Sequence, residues 1–108
     1  MAENFKFITF SNEQDQIIGL ELGGMLILEN VQTLKYKLIG IAERLGSEVI
    51  VTISELDEID LSNIQLLVAF IRSMRESKVS FRFVWDIDDD QKLLLEHVGI
   101  SNELLMNI

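Results

Sequence analysis

Apolar residues follow two rhythms along this chain. Residues 5–10 (Phe-Lys-Phe-Ile-Thr-Phe) are aromatic and β-prone, and they predict a first strand. Asn12, Glu13, Gln14 and Asp15 supply a polar turn. Residues 16–22 carry Ile17, Ile18, Leu20 and Leu22 and predict a second strand, ended by Gly23 and Gly24. A hairpin is the shortest way to join the two. From about residue 29 to 45 the period lengthens. Val31, Leu34, Leu38, Ile41, Ala42 and Leu45 recur at three- and four-residue steps, as on one face of a helix that Gly46 would stop.

Residues 48–54 (Glu-Val-Ile-Val-Thr-Ile-Ser) are β-branched and nearly all apolar, the mark of a central strand. Residues 55–60 read as an acidic loop carrying Leu56 and Ile59. A second helix is predicted over 61–77, on a stripe of Ile64, Leu67, Val68, Ile71 and Met74 that Leu66 and Phe70 widen on one side. Residues 79–85 alternate and predict a fourth strand. The acidic run 86–90 suits the start of a third helix, where the helix dipole favours negative charge. That helix carries Leu93, Leu94, Leu95 and Val98 and ends at Gly99; residues 100–108 form a tail with another short apolar stretch.

The resulting order is β-β-α-β-α-β-α. Strands alternating with helices after an opening hairpin predict a single α/β domain over residues 1–108. Its sheet is mixed, with four to five strands and three to four helices, and its crossovers are right-handed. A length of 108 residues agrees with one domain and one core.

Composition narrows the chemistry. The chain has no cysteine and no proline, so disulfides, thiolate metal sites and cysteine nucleophiles are excluded. A single histidine, His97, excludes a His-rich metal site. Eighteen Asp and Glu against nine Lys and Arg give a net charge of −9, which repels nucleic acid and anionic lipid and favours a basic partner. The apolar runs are too short to cross a membrane. The first residues lack the basic start and long apolar stretch of a secretory signal, so a cytoplasmic location is the default expectation.

Known site patterns then fail in turn. An EF-hand count from Asp86 places Asp86, Asp88 and Asp90 at the first three ligand positions. It then meets Gln91 where glycine is needed and His97 where glutamate is needed. No serine stands in a Gly-x-Ser-x-Gly elbow, and Gly23-Gly24 lacks the later glycines and lysine of a phosphate loop. His97 reads as a helix-face residue. No enzyme, cofactor or metal is expected.

The most informative stretch is residues 49–67. A buried strand leads to an acidic turn, then Ile59-Asp60-Leu61-Ser62 at a helix start, then Leu66-Leu67. This resembles the STAS family, the domain of bacterial anti-sigma-factor antagonists. There a strand reading like V-V-L-D-L-S is followed by a short loop and I-D-S-S-G-L-x-x-L. Leu20-Glu21-Leu22-Gly23-Gly24 is similar to the family's second strand with its L-x-G ending. Leu94-Leu95-Glu96-His97-Val98-Gly99-Ile100 is similar to its late L-x-x-x-G-L segment. The resemblance spans nearly the whole chain, and its specificity lies in the order and spacing of motifs that are each loose.

The resemblance implies a non-enzymatic interaction module that docks a partner with the loop before the second helix and that helix's N-terminus. Carried onto this sequence, the partner-binding residues are Asp57, Glu58, Asp60, Leu61, Ser62, Asn63 and Leu66. The implied partner is a kinase-like anti-sigma factor or related signalling protein. Alternatively it is the ATPase of an ABC lipid-transport complex, of which some STAS-like domains are non-catalytic subunits. The position that usually accepts phosphate in the family is Leu61 here, and leucine has no hydroxyl. Ser62 is the remaining candidate phosphoacceptor, about 100° further round a helix. Asn63 stands where the family has glycine. Asp60 and Ser62 both suit the N-cap of the following helix.

Overall fold

The computed structural model describes residues 4–97. Within them the elements are β1 (Phe5–Ser11), β2 (Ile17–Leu26), α1 (Val31–Ile41), β3 (Leu45–Ile59), α2 (Leu61–Glu76), β4 (Ser80–Asp86) and α3 (Asp89–His97). Short 3-10 turns at Leu28–Asn30 and Ala42–Arg44 bracket α1. The order is the one the periodicity predicts, and the sheet has four strands in the order β1-β2-β3-β4. The first pair is antiparallel and the other two are parallel, so the fold is α/β with a mixed sheet.

The hairpin turn is set by Asn12. Its Oδ1 accepts from the backbone N–H of Gln14 at 3.0 Å and of Gln16 at 2.9 Å, while Asp15 takes the left-handed conformation, φ 62°. Register puts Phe7, Leu22, Ile53 and Trp85 in one row across the four strands, and Thr9, Leu20, Val51 and Phe83 in the next. This face meets Leu34, Leu38 and Ile41 of α1 and Ile64, Leu67 and Ile71 of α2, and together they form the core. Phe70 packs edge-on against Phe81, their ring centroids 6.2 Å apart. Leu66 is partly buried against the same cluster.

Three expectations need correction. The second strand does not end at Gly23-Gly24 but runs through both to Leu26. A Cβ on Gly23 would stand 1.9 Å from the Ser54 carbonyl oxygen, and Gly24 has φ +76° beside Asn4. The glycines mark a close approach and an irregularity in the strand, not its end. Residues 55–60 are not a loop: β3 continues to Ile59, with Leu56 buried and Glu55, Asp57 and Glu58 exposed. Glu55 has φ 50°, and the β2–β3 register shifts twice between Leu22 and Met25. The first helix ends at Ile41 rather than Leu45. Leu45 and Gly46 belong to β3.

The acidic run after β4 does start a helix. Asp88 accepts from the Gln91 N–H at 2.8 Å, and the Gln91 side chain accepts from the Asp88 N–H at 3.3 Å, a reciprocal cap. Gln91 Nε2 also donates to the Leu56 carbonyl at 2.6 Å, tying α3 to β3. Val98, the stop at Gly99 and the tail 100–108 lie outside the described residues, as do the side chains of Leu94, Leu95 and His97. Among the described residues no helix is long and apolar enough to cross a membrane.

Candidate functional site

The two parallel crossovers bring the starts of α1 and α2 to the same end of the sheet. Leu26 pairs with Ile59 at the ends of β2 and β3, and the Asp60 N–H continues the ladder by donating to the Leu26 carbonyl at 3.0 Å. Both chains then turn into helices. Residues that follow parallel strands at their C-terminal ends are where α/β sheets place binding groups.

Asp60 is the N-cap of α2. Its backbone is extended, with φ −112° and ψ 173°, and its carboxylate accepts from the Asn63 N–H at 3.2 Å. The same oxygen accepts from the Ser62 hydroxyl at 2.6 Å and from the Asn63 amide nitrogen at 2.9 Å. Burial pushes the Asp60 carboxyl up. The hydrogen bonds donated by Ser62 and Asn63, aided by the nearby backbone of Leu28 at the entry of α1, outweigh that and hold it below the usual carboxylate range. Asp60 is therefore ionised at neutral pH and pins two helix entries together.

The predicted site residues divide by role. Asp60, Ser62 and Asn63 form one hydrogen-bonded knot. Asn63 is fully buried and lies in the helix with ordinary backbone angles, so it is not there for an unusual conformation. It donates to Asp60, while its Oδ1 is buried without a hydrogen-bond partner among the described residues. Asn30, buried at the entry of α1, has its Oδ1 in the same condition and donates to the Met25 carbonyl at 2.7 Å. Asp57 and Glu58 are exposed near the C-terminal end of β3. Leu66 turns toward the core, one turn of α2 away from the knot.

Leu61 is 50% exposed at the first position of α2. Sequence reasoning missed its counterpart. Leu28 is 63% exposed, and its backbone touches Asp60 from the other crossover. The available signal was an apolar residue inside a helix-entry turn, between Ile27 and Glu29. Asp60 thus has an exposed leucine on each side, with Glu29, Asp57 and Glu58 exposed nearby in the chain.

The knot offers little covalent chemistry. The Ser62 hydroxyl is already committed to a carboxylate, and no group of three or more His, Asp or Glu suited to a metal ion occurs among the described residues. What the arrangement can do is present two leucines in an acidic frame on a rigid base. No family model matches this chain, and no curated protein matches it.

Proposed function

We propose that this protein is a non-enzymatic interaction module resembling STAS domains, and that it docks a protein partner through the entries of α1 and α2. The observation that carries the reading is the pair of exposed leucines, Leu28 and Leu61, held on either side of the Asp60 cap. Large apolar side chains fixed at the mouth of a helix entry favour burial against a partner. The carboxylates of Glu29, Asp57 and Glu58 favour a basic rim on that partner and faster encounter with it. The partner class is a kinase-like anti-sigma factor or a related bacterial signalling protein, and the setting is the cytoplasm.

A second reading has its own support. Leu61 carries no hydroxyl, and the Ser62 hydroxyl is bound to Asp60 at 2.6 Å. A phosphate on Ser62 would stand against the Asp60 carboxylate and break the cap. A site that is not switched by phosphate suits a constitutive subunit, such as the STAS-like component that binds the ATPase of an ABC lipid transporter. The test is capture of partners from the native cells at low salt, with Ser62 checked for phosphate by mass spectrometry. A kinase-like partner supports the first reading. An ABC ATPase with unmodified Ser62 supports the second. Partners captured equally well by a Leu61→Glu variant count against the docking surface in both.

A further inference from the structure

The docking end sits on a two-stranded extension of the sheet. β4 ends at Asp86, opposite Ser54, while β3 runs on through Glu55 to Ile59 beside β2. The two tips pair as Met25 with Glu58 and Leu26 with Ile59, and each leads within two residues into a helical turn. Leu28 follows Leu26 in this way, and Leu61 follows Ile59. Below the tips both strands are kinked at one level. Gly24 has φ +76° and Glu55 has φ 50°, and the β2–β3 register shifts on either side of Gly24. Strands bend at such irregularities and their ladder is locally disrupted, so this level is a joint between the body of the sheet and its tips.

Lys6 spans that joint. It stands opposite Gly23 in register, and its side chain crosses the glycine: a Cβ there would come within 3.1 Å of Lys6 Cε. The ammonium donates to Ser54 Oγ at 2.7 Å and to Glu55 at 2.9 Å, and it lies 2.6 Å from Glu21. The Ser54 hydroxyl donates in turn to Glu21 at 3.3 Å. Glu21 belongs to β2 below the kink, Ser54 ends the part of β3 that β4 supports, and Glu55 opens the tip. Hydrogen bonds to Glu21 and Glu55 hold the Lys6 ammonium above the ordinary lysine value, and Lys6 holds the Glu21 carboxyl below its own, so both are charged at neutral pH. A lone exposed ion pair contributes little, but the Lys6 side chain is only 19% exposed and serves acceptors on two strands at once.

We propose that Lys6 is a positioning residue for the docking end: it clips β1 across the joint and so holds the tips of β2 and β3, and with them Leu28 and Leu61, in one arrangement. Its consequence for docking rests on the partner site proposed at the helix entries; the clip itself does not. Two other ties reach the tips. The Met25 N–H donates to the Asn4 carbonyl at 2.9 Å, and the Gln91 side chain donates to the Leu56 carbonyl at 2.6 Å. The first holds the β2 tip and the second the β3 tip, while Lys6 acts at the joint beneath both. Without it the tips stay tethered but rock about the glycines, so the effect is local opening in a folded protein.

Backbone amide hydrogen exchange of the full chain, resolved by NMR, tests this. Lys6→Met keeps an apolar stem and removes the charge. Exchange should rise at least about fivefold at the Asp60 N–H, which donates to Leu26, and at the Met25 N–H, and stay unchanged at Val51 in the middle of β3. Glu21→Gln leaves Ser54 and Glu55 within reach of Lys6; it should give a smaller rise at the same amides, and it carries the test where Lys6→Met does not fold. Arg44→Met, which removes the ion pair to Asp15 at the hairpin end, should leave them unchanged. In partner capture Lys6→Met should lose at least about threefold although both leucines are intact. An unchanged tip, or an equal rise at Val51 that marks a loss of overall stability, would overturn the proposal. Faster tip exchange with undiminished capture, while Leu28→Glu and Leu61→Glu still reduce it, would overturn the positioning role. Faster tip exchange with capture indifferent to the leucines as well would support the clip and remove the docking site instead.

Discussion

The Ser62 hydroxyl donates to Asp60 Oδ1 across 2.6 Å, the same oxygen that caps the first turn of α2. The serine therefore serves as a strut for the cap. Asp60→Ala should cost about 1 kcal/mol, and Ser62→Ala less, because the Asn63 bonds remain. Ser62→Asp should cost more than Ser62→Ala, since it sets two carboxylates against each other. Urea denaturation of the three variants orders these effects. An Asp variant as stable as wild type would mean that a phosphate is tolerated there.

Acid should weaken the same knot. The Asp60 carboxyl is held below its ordinary value in the folded protein, so folding favours its ionised form. Its contribution is complete above the ordinary aspartate value of 3.8 and is lost as pH falls through the lower folded value. Stability measured from neutral pH down to about pH 2 should fall less for Asp60→Asn than for wild type.

Asn63→Asp should reverse that dependence. A second carboxylate would be buried 2.9 Å from Asp60 in place of a donor. The expected loss at neutral pH is on the order of 3 kcal/mol. One of the two acids then holds a proton more tightly when folded, so part of the loss should be recovered as pH falls toward 4–5 (roughly the carboxylate range). A variant that only loses stability on acidification would contradict this geometry.

Two glycines should respond in opposite ways. Gly23→Ala drives a methyl into the Ser54 carbonyl, with no flexible side chain to yield, and should destabilise by more than about 3 kcal/mol. Gly40→Ala, inside α1 with nothing within 4 Å of its Cβ position, should stabilise by up to about 1 kcal/mol. Thermal melts of the two variants separate close approach from simple flexibility.

These glycines also explain what the sequence concealed. Gly-Gly after an apolar run is ordinarily an end signal, and only the partner strand reveals that the run continues past it. The acidic stretch after Ser54 misled for a related reason. Charge outweighed pattern, although Leu56 and Ile59 still face inward or part-way inward between exposed acids. Helix α2 was legible almost to the residue, because its apolar stripe and its cap both lie in consecutive positions. At the site, Asp60 and Ser62 could be read as cap candidates from spacing alone. Leu28 could not, since its tie to Asp60 depends on β2 and β3 lying side by side. The Gln91 bond to Leu56 was hidden in the same way, joining residues 35 positions apart.

The central claim is that the entries of α1 and α2 form a docking surface. The most direct test is quantitative capture from native cells by four proteins: wild type, Leu61→Glu, Leu28→Glu and Tyr36→Lys, the last altered on the outer side of α1. All four should be folded by circular dichroism. One partner should be held by wild type and by Tyr36→Lys, and reduced at least about tenfold by either glutamate. A partner retained by both glutamate variants, or lost only with Tyr36→Lys, would contradict it.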